Sequence, residues 1–104
     1  MTESDLVQSI LLAFGSRRDM RIWRANCGVA RTKTGALVRF GVPGQADISG
    51  ILIDGRRIEI ECKSLTGKQT KAQQNWQKMI LGMRGIYILA RSVDDVKRAF
   101  GESV

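Results

Sequence analysis

The chain has 104 residues, with 17 lysines and arginines against 10 aspartates and glutamates, a formal net charge of +7 and no histidine. A chain of this length forms a single domain, residues 1–104, and its positive charge favours a polyanionic partner, nucleic acid before a membrane. The absence of histidine excludes a Ser-His-Asp triad, a Cys-His pair and histidine-ligated zinc, which leaves acid, lysine and metal chemistry.

The cysteine content and the apolar runs bear on the cellular compartment. Cys27 and Cys62 are not spaced like metal ligands, and two cysteines do not make a disulfide framework, so we expect a reducing environment. The longest apolar run, Ile10 to Phe14, is too short to cross a membrane, and no signal-peptide pattern precedes it. We therefore expect a cytoplasmic protein with no membrane partner.

The first predicted element is a helix that begins at an N-cap, Thr2 or Ser4, and ends at Gly15. Its apolar positions are Leu6, Val7, Ile10, Leu11 and Phe14. Glu3 lies on the same side as this apolar stripe rather than on the solvent face. A carboxylate in the first turn is also favoured by the helix dipole, so only its face makes Glu3 a candidate site residue.

A strand is predicted from Arg21 to Cys27, with Trp23 among the core residues rather than serving as a base-stacking surface. Two further short strands would flank the turn at Thr34-Gly35. Five polar or basic residues of this region are candidate DNA contacts: Arg24, Asn26, Arg31, Lys33 and Arg39. The alternative is that these side chains are simply solvated.

The clearest loop of the chain, Gly41 to Ala46, stands directly before Asp47 and holds the only proline and two glycines. One interpretation is a tight turn. The other is that small residues, Gly44 among them, let backbone N–H groups approach a phosphate.

The central stretch, Asp47 to Lys63, reads as two strands joined in a hairpin. Strand alternation places Glu59, Glu61 and Lys63 on one face of the second strand. An aspartate, a spacer and Glu-x-Lys suit a hard cation beside a phosphate. The same acid-x-Lys pattern at Asp95-Val96-Lys97 falls in a predicted helix, where positions two apart do not face each other, so we set it aside.

The register of this hairpin decides whether the site can form. A two-residue turn at Asp54-Gly55 would pair Asp47 with Cys62 and send Asp47 to the opposite face from Glu61. A three-residue turn through Arg56, or a bulge, would instead pair Asp47 with Lys63. We predict one of these two arrangements, because only they bring Asp47, Glu61 and Lys63 together.

The C-terminal part is predicted to contain a helix, a buried strand and a last helix. Thr70 and Gln73 form a capping box for the first of these helices. Its apolar stripe comprises Ala72, Trp76, Met79, Ile80 and Met83. The strand covers 86–90, and Ser92 with Asp95 caps the last helix. Together these elements predict a small α/β domain whose mixed sheet is flanked by helices.

The motifs occur along the chain as Glu3; Asn26-Cys27-Gly28; Gly41-Val42-Pro43-Gly44-Gln45-Ala46-Asp47; Glu61-Cys62-Lys63; and Thr70-Lys71-Ala72-Gln73 followed by Trp76. In this order and spacing they resemble the virus-type replication-repair nucleases (VRR-NUC) of the PD-(D/E)XK superfamily. The resemblance covers essentially the whole chain, and the short length is similar to that of stand-alone phage and bacterial members. It implies a restriction-endonuclease-like PD-(D/E)XK fold, with a central mixed β-sheet flanked by helices.

The resemblance also implies a chemistry. Asp47, Glu61 and the backbone carbonyl of Cys62 would bind Mg2+ or Mn2+, and Lys63 would orient the attacking water. Glu3 and Gln73 would support the site, and Lys68 and Lys71 are further candidate DNA contacts. Oxygen ligands select such a hard cation, and a lysine adds positive charge where the transition state gains negative charge.

Stand-alone members of the family resemble homodimeric endonucleases that cut branched DNA, including four-way (Holliday) junctions, in replication, recombination or repair. The expected location is therefore the cytoplasm of a bacterium or of a phage-infected cell. Two alternatives stay open. One is a restriction or DNA-end-processing nuclease on the same fold, and the other is a non-catalytic DNA-binding module.

Overall fold

The fold is built on a four-stranded mixed sheet, seen in a computed structural model that describes residues 1–25 and 28–101. Three helices and six strands occur in these residues: α1 (Glu3–Phe14), β1 (Met20–Arg24), β2 (Gly28–Arg31), β3 (Leu37–Phe40), β4 (Ile48–Leu52), β5 (Arg57–Cys62), α2 (Lys71–Gly82), β6 (Ile86–Ala90) and α3 (Val93–Ala99). The sheet order is β1-β4-β5-β6, with β5 and β6 parallel and the other neighbours antiparallel. The predicted α/β domain with a mixed sheet and flanking helices is confirmed.

One face of the sheet carries the apolar core. Side chains of α1, α3 and alternate strand positions are buried together: Leu6, Val7, Ile10, Phe14, Met20, Ile22, Ile48, Ile58, Ile60, Cys62, Ile88, Ala90 and Val96. Burying one isoleucine of this kind stabilises the fold by roughly 1.5–3 kcal/mol, so this face supplies much of the hydrophobic driving force.

The opposite face of the sheet is polar and is partly covered by α2. A row of side chains runs across it through Trp23, Ser49, Glu59 and Tyr87, which are successive cross-strand partners. Ser49 and Glu59 are fully buried. Because a carboxylate in such a position needs hydrogen-bond donors, the helix above this face has to present polar groups.

The expectation that α2 buries an apolar stripe is wrong for Met83, which is 77% exposed. Ile80 is buried, whereas Ala72, Trp76 and Met79 are partly buried. The reason is that α2 lies on the polar face of the sheet. Its indole at Trp76 donates a hydrogen bond from Nε1 to Glu59 Oε1 at 2.8 Å instead of packing only against aliphatic groups.

The prediction that Trp23 belongs to the core is also wrong, because its side chain is 43% exposed. Trp23 lies on β1, which is an edge strand of the sheet, and on the polar face. Alternation within β1 indicates which residues share a face, but it does not indicate which of the two faces is buried.

The β4–β5 hairpin has a three-residue loop over 53–55, one position earlier than the predicted turn. Leu52 N donates to Arg56 O at 2.8 Å, and Gly55 N donates to Leu52 O at 2.9 Å. Gly55 adopts a φ of 89°, which a glycine takes at little cost and which closes this kind of hairpin loop. The pairing of Ile48 with Ile60 then places Asp47 opposite Glu61. The predicted pairing of Asp47 with Lys63 is therefore wrong, but Asp47 and Glu61 do share a face.

Strands β2 and β3 form a separate two-stranded antiparallel sheet in which every residue is exposed. Its pairing puts Gly28, Ala30, Val38 and Phe40 on one face, and Val29, Arg31, Leu37 and Arg39 on the other.

Within the two described ranges, no helix is long and apolar enough to cross a membrane.

Candidate active site

Two carboxylates, those of Asp47 and Glu61, meet on the polar face where β4 begins and β5 ends. The main chain of Asp47 is fixed to β1, because Ala25 N donates to Asp47 O at 2.8 Å. Its side chain is fixed to β5, because Cys62 N donates to Asp47 Oδ2 at 2.8 Å. The aspartate therefore joins three strands at the edge of the sheet face that carries Glu61.

Glu61 is only 2% exposed, and its two oxygens have different surroundings. Oε1 accepts a hydrogen bond from Gln73 Nε2 at 3.0 Å, whereas Oε2 is buried without a hydrogen-bond partner. Burial, followed by the negative charge of Asp47, raises the pKa of Glu61 to about 8, although Lys63 acts in the opposite direction. A buried acceptor without a donor is rare in folded proteins, and a proton on the carboxyl, a water molecule or a bound ion would satisfy it.

Gln73 has two roles at once. Its side-chain Oε1 accepts from Thr70 N at 2.9 Å, and Thr70 Oγ1 accepts from Gln73 N at 3.2 Å. The predicted capping box of α2 is thus confirmed. The other end of the same amide holds Glu61, so the first turn of α2 is coupled to the carboxylate pair.

Lys63 and Glu3 lie at the same end of β5. Lys63 directly follows the strand, is partly buried, and donates from its backbone N to Ala90 O at 3.0 Å. Glu3 is exposed at the start of α1, where its Oε2 accepts from Ser64 N at 3.4 Å. The structure therefore brings Glu3, Asp47, Glu61, Lys63 and Gln73 to one end of the sheet.

Arg91 supports this end of the site and was not found by sequence reasoning. Its Nη1 donates to the carbonyl oxygens of Ser64 and Gly67, the latter at 2.8 Å, and so ties down the loop that follows Lys63. No local sequence signal could have revealed it, since the partners are 24 and 27 residues away.

Gly44 packs against the first turn of α2. It has a φ of 80°, and a Cβ at this position would lie 2.2 Å from Ala72 O. Only glycine permits this approach, so the tight-turn interpretation of the loop has a steric explanation. The loop is also joined to β4, where Gln45 Nε2 donates to Ser49 Oγ at 3.4 Å.

A second buried carboxylate, Glu59, lies one row of the sheet away from Glu61. Its Oε1 accepts from Trp76 Nε1 at 2.8 Å, and its Oε2 accepts from Arg57 Nε at 3.3 Å. The alternation in β5 predicted its face, but no local pattern indicated its role. Its contacts indicate that it fastens α2 to the sheet.

The candidate DNA contacts are spread over several surfaces. Arg31, Lys33 and Arg39 are exposed on the β2–β3 sheet and its turn, and Lys68 and Lys71 are exposed between β5 and α2. Arg24 is exposed on β1 and shares the core face with Ile22, whereas Asp47 and Glu61 lie on the polar face. Asn26 lies outside the described residues.

Comparison of the sequence with models of known protein families gives no match, and comparison with curated protein sequences gives none. The interpretation of the site therefore depends on its geometry and on the motif resemblance.

A hard cation requires oxygen ligands, which the carboxylate pair offers. Among residues 1–25 and 28–101, no three Asp, Glu or Cys side chains are grouped as a metal site. Mg2+ commonly uses only one or two carboxylates and completes its shell with water and phosphate oxygens. Asp47 and Glu61, with the unpartnered Oε2, fit that smaller set. The thiol of Cys62 is buried in the core, so only the backbone of Cys62 is left as a metal ligand.

Proposed function

We propose that this protein is a Mg2+- or Mn2+-dependent endonuclease that hydrolyses phosphodiester bonds in DNA, with branched DNA such as four-way junctions as its substrate. The observation that carries the proposal is the pairing of Asp47 with a buried Glu61 that has one oxygen without a partner. Its neighbour Lys63 lowers the pKa of Glu61, which indicates that a positive charge is already close. A PD-(D/E)XK type of fold and a VRR-NUC relationship are part of the same proposal.

In this proposal Asp47, Glu61 and the backbone carbonyl of Cys62 hold the cation. When bound, the cation polarises the phosphate and neutralises charge on it. Lys63 orients the attacking water and stabilises the negative charge that develops on the phosphate. Gln73 keeps the Glu61 carboxylate in place, since its amide is itself fixed by the helix cap.

Binding to the DNA backbone is supported by the net charge of +7 and by the exposed cations on one face of the β2–β3 sheet. Arg31 and Arg39 project from the same face of that sheet, with Lys33 in its turn. Such exposed cations contact phosphates and position a duplex without reading its sequence. Lys68 and Lys71 extend the set towards α2.

A homodimer completes the proposal, because two symmetric cuts need two active sites. The other face of the β2–β3 sheet supports it. Gly28, Ala30, Val38 and Phe40 form an apolar surface, and an isolated two-stranded sheet is only marginally stable in water. Val38→Asp should therefore convert a dimer into monomers in sedimentation velocity, whereas a wild-type monomer would remove this part of the proposal.

The deciding experiment is cleavage of end-labelled four-way junction, flap and linear duplex DNA with Mg2+ or Mn2+. We expect symmetric junction cuts by the wild type, and none by Asp47→Asn or Glu61→Gln. Asp54→Asn is the matched control, since this carboxylate lies in the hairpin loop at the other end of β5 and pairs with Arg56. Lys63→Ala should lose cleavage but still bind Mn2+ in calorimetry.

DNA binding by the same variants distinguishes a nuclease from a non-catalytic DNA-binding module. Removing Asp47 or Glu61 should leave DNA affinity unchanged or higher, since a negative charge near phosphate is lost. Tight binding without cleavage of any substrate under either metal would instead establish a non-catalytic DNA-binding module.

A further inference from the structure

Among the residues that the structure describes, no helix covers the half of the polar face that β1 and β4 form. α2 lies over β5 and β6, where Trp76 bonds Glu59 and Gln69 donates to Tyr87 Oη at 3.1 Å. On the half formed by β1 and β4, Trp23 and Ile51 are 43% and 46% exposed, whereas Ser49 is fully buried and accepts a hydrogen bond from Gln45. This open surface therefore begins where the cover of α2 ends.

Two arginines border the open half. Arg21 and Ile51 are cross-strand partners, as are Ile51 and Arg57, so the three side chains form a row beside Trp23. Both arginines are exposed. We call the surface made by Arg21, Trp23, Ile51 and Arg57 the β1–β4 platform.

Two contacts of Arg57 fix the arrangement of the platform. The guanidinium carbon of Arg57 lies 5.9 Å from the centroid of the Trp23 ring, within the range of a cation–π contact. Its Nε donates to the fully buried Glu59. An exposed indole and an anchored guanidinium are thus presented together on the sheet surface, and both groups can stack on a nucleobase.

The platform lies close to the carboxylate pair. Trp23 is directly across from Ser49, two residues before Ala25, whose backbone N bonds Asp47 O. With strands about 4.8 Å apart and a rise of about 3.4 Å per residue, the Cα atoms of Trp23 and Asp47 are roughly 8 Å apart. This is about two nucleotides of a stacked strand at about 3.4 Å each.

We propose that the β1–β4 platform binds an unpaired nucleotide of the substrate, with its base stacked on Trp23 and its flanking phosphates near Arg21 and Arg57. The inference rests on the proposed nuclease function and narrows its branched substrates to those in which an unpaired nucleotide adjoins the cleavage position, such as a flap or a junction whose central base pairs have opened. The positive charge of the arginine row beside the indole matches a polyanionic strand. Because every base has a π-face, stacking of this kind carries no strong base preference.

The test is DNA binding in EDTA, where no cleavage interferes, with a labelled flap compared with a linear duplex of equal length. Trp23→Ala should weaken flap binding by roughly 5- to 100-fold and leave duplex binding nearly unchanged. Trp23→Phe should keep most of the flap affinity. Leu12→Ala, which removes an exposed apolar side chain on α1, is the control and should change neither.

Two further readouts separate stacking from a structural effect. Oligothymidylate should quench the tryptophan fluorescence of the wild type, and the quench should largely disappear in Trp23→Phe although Trp76 remains. Arg21→Ala should weaken binding and lower the slope of log affinity against log salt by about one.

Equal losses on flap and duplex, no loss in Trp23→Ala, or a wild type that does not bind single strands would each overturn the platform proposal. The nuclease proposal is tested separately by cleavage with metal. A protein that binds flaps through Trp23 but cuts no DNA would refute the nuclease function alone.

Discussion

Gln73 Nε2 lies 3.0 Å from Glu61 Oε1, so the amide that completes the cap of α2 also holds a buried carboxylate. The two contacts use opposite ends of one side chain. A change at the start of α2 therefore affects the carboxylate pair. A substitution that alters the contact of Gln73 with Thr70 should change stability, whereas one that alters its contact with Glu61 should change the geometry of the site.

Gln73→Glu and Thr70→Ala should act on different properties. Gln73→Glu keeps an oxygen for the cap but puts a second negative charge against Glu61, so cleavage should fall at least tenfold with little loss of stability. Thr70→Ala removes the cap oxygen and should cost about 1 kcal/mol of unfolding free energy while leaving the contact to Glu61. Urea denaturation and cleavage rates measure the two effects, and equal activity losses would contradict this division.

Metal-free protein should become less stable as the pH rises. The Glu61 carboxyl has a pKa of about 8 in the folded state, against an ordinary value of 4.5. Between these values the folded state binds the extra proton, so the stabilisation is complete below about 4.5 and is lost as the pH rises through about 8. Tm in EDTA should drop by roughly 5 °C or more from about pH 5 to about pH 9.

Glu61→Gln is the control for this pH dependence, since it removes the titrating group but keeps an acceptor for Gln73. Its Tm should vary much less over the same interval. A wild-type Tm that is flat with pH, or an equal drop in the variant, would show that Glu61 does not carry the effect.

Trp76→Phe should destabilise the protein by about 1.5–3 kcal/mol, since it removes the donor that lies 2.8 Å from the buried Glu59. Thermal or urea unfolding measures the loss. Glu59→Gln in the Trp76→Phe background should recover part of it, because the uncompensated charge is gone. A cost below about 0.5 kcal/mol for Trp76→Phe would mean that Arg57 alone satisfies Glu59.

Two glycines with similar φ angles, Gly55 and Gly44, should respond differently to alanine. Gly55→Ala meets no atom within 4 Å and suffers only the left-handed backbone conformation, a cost of about 1–2 kcal/mol. Gly44→Ala adds a contact of 2.2 Å with Ala72 O, so its cost should exceed that of Gly55→Ala by about 2 kcal/mol or more. Similar losses in urea denaturation would contradict the close packing of the loop on α2.

Local sequence patterns predicted the elements of this fold well, because they depend on neighbours in the chain. The apolar spacing of α1, the capping box at Thr70 and Gln73, and the buried strand at 86–90 all appear in the structure. Period-two alternation also placed Glu59 and Glu61 on a common face. Each of these features is fixed by residues two to four positions apart.

What the sequence by itself determined is therefore where the elements are and which residues share a side of each element. The tertiary structure decided which sides are buried and which distant groups meet. Gly55 in its positive-φ conformation set the register that puts Asp47 opposite Glu61, the edge position of β1 left Trp23 exposed, and Arg91 reached a loop 24 residues away. These outcomes depend on the packing of whole elements against one another, for which a local pattern holds no information.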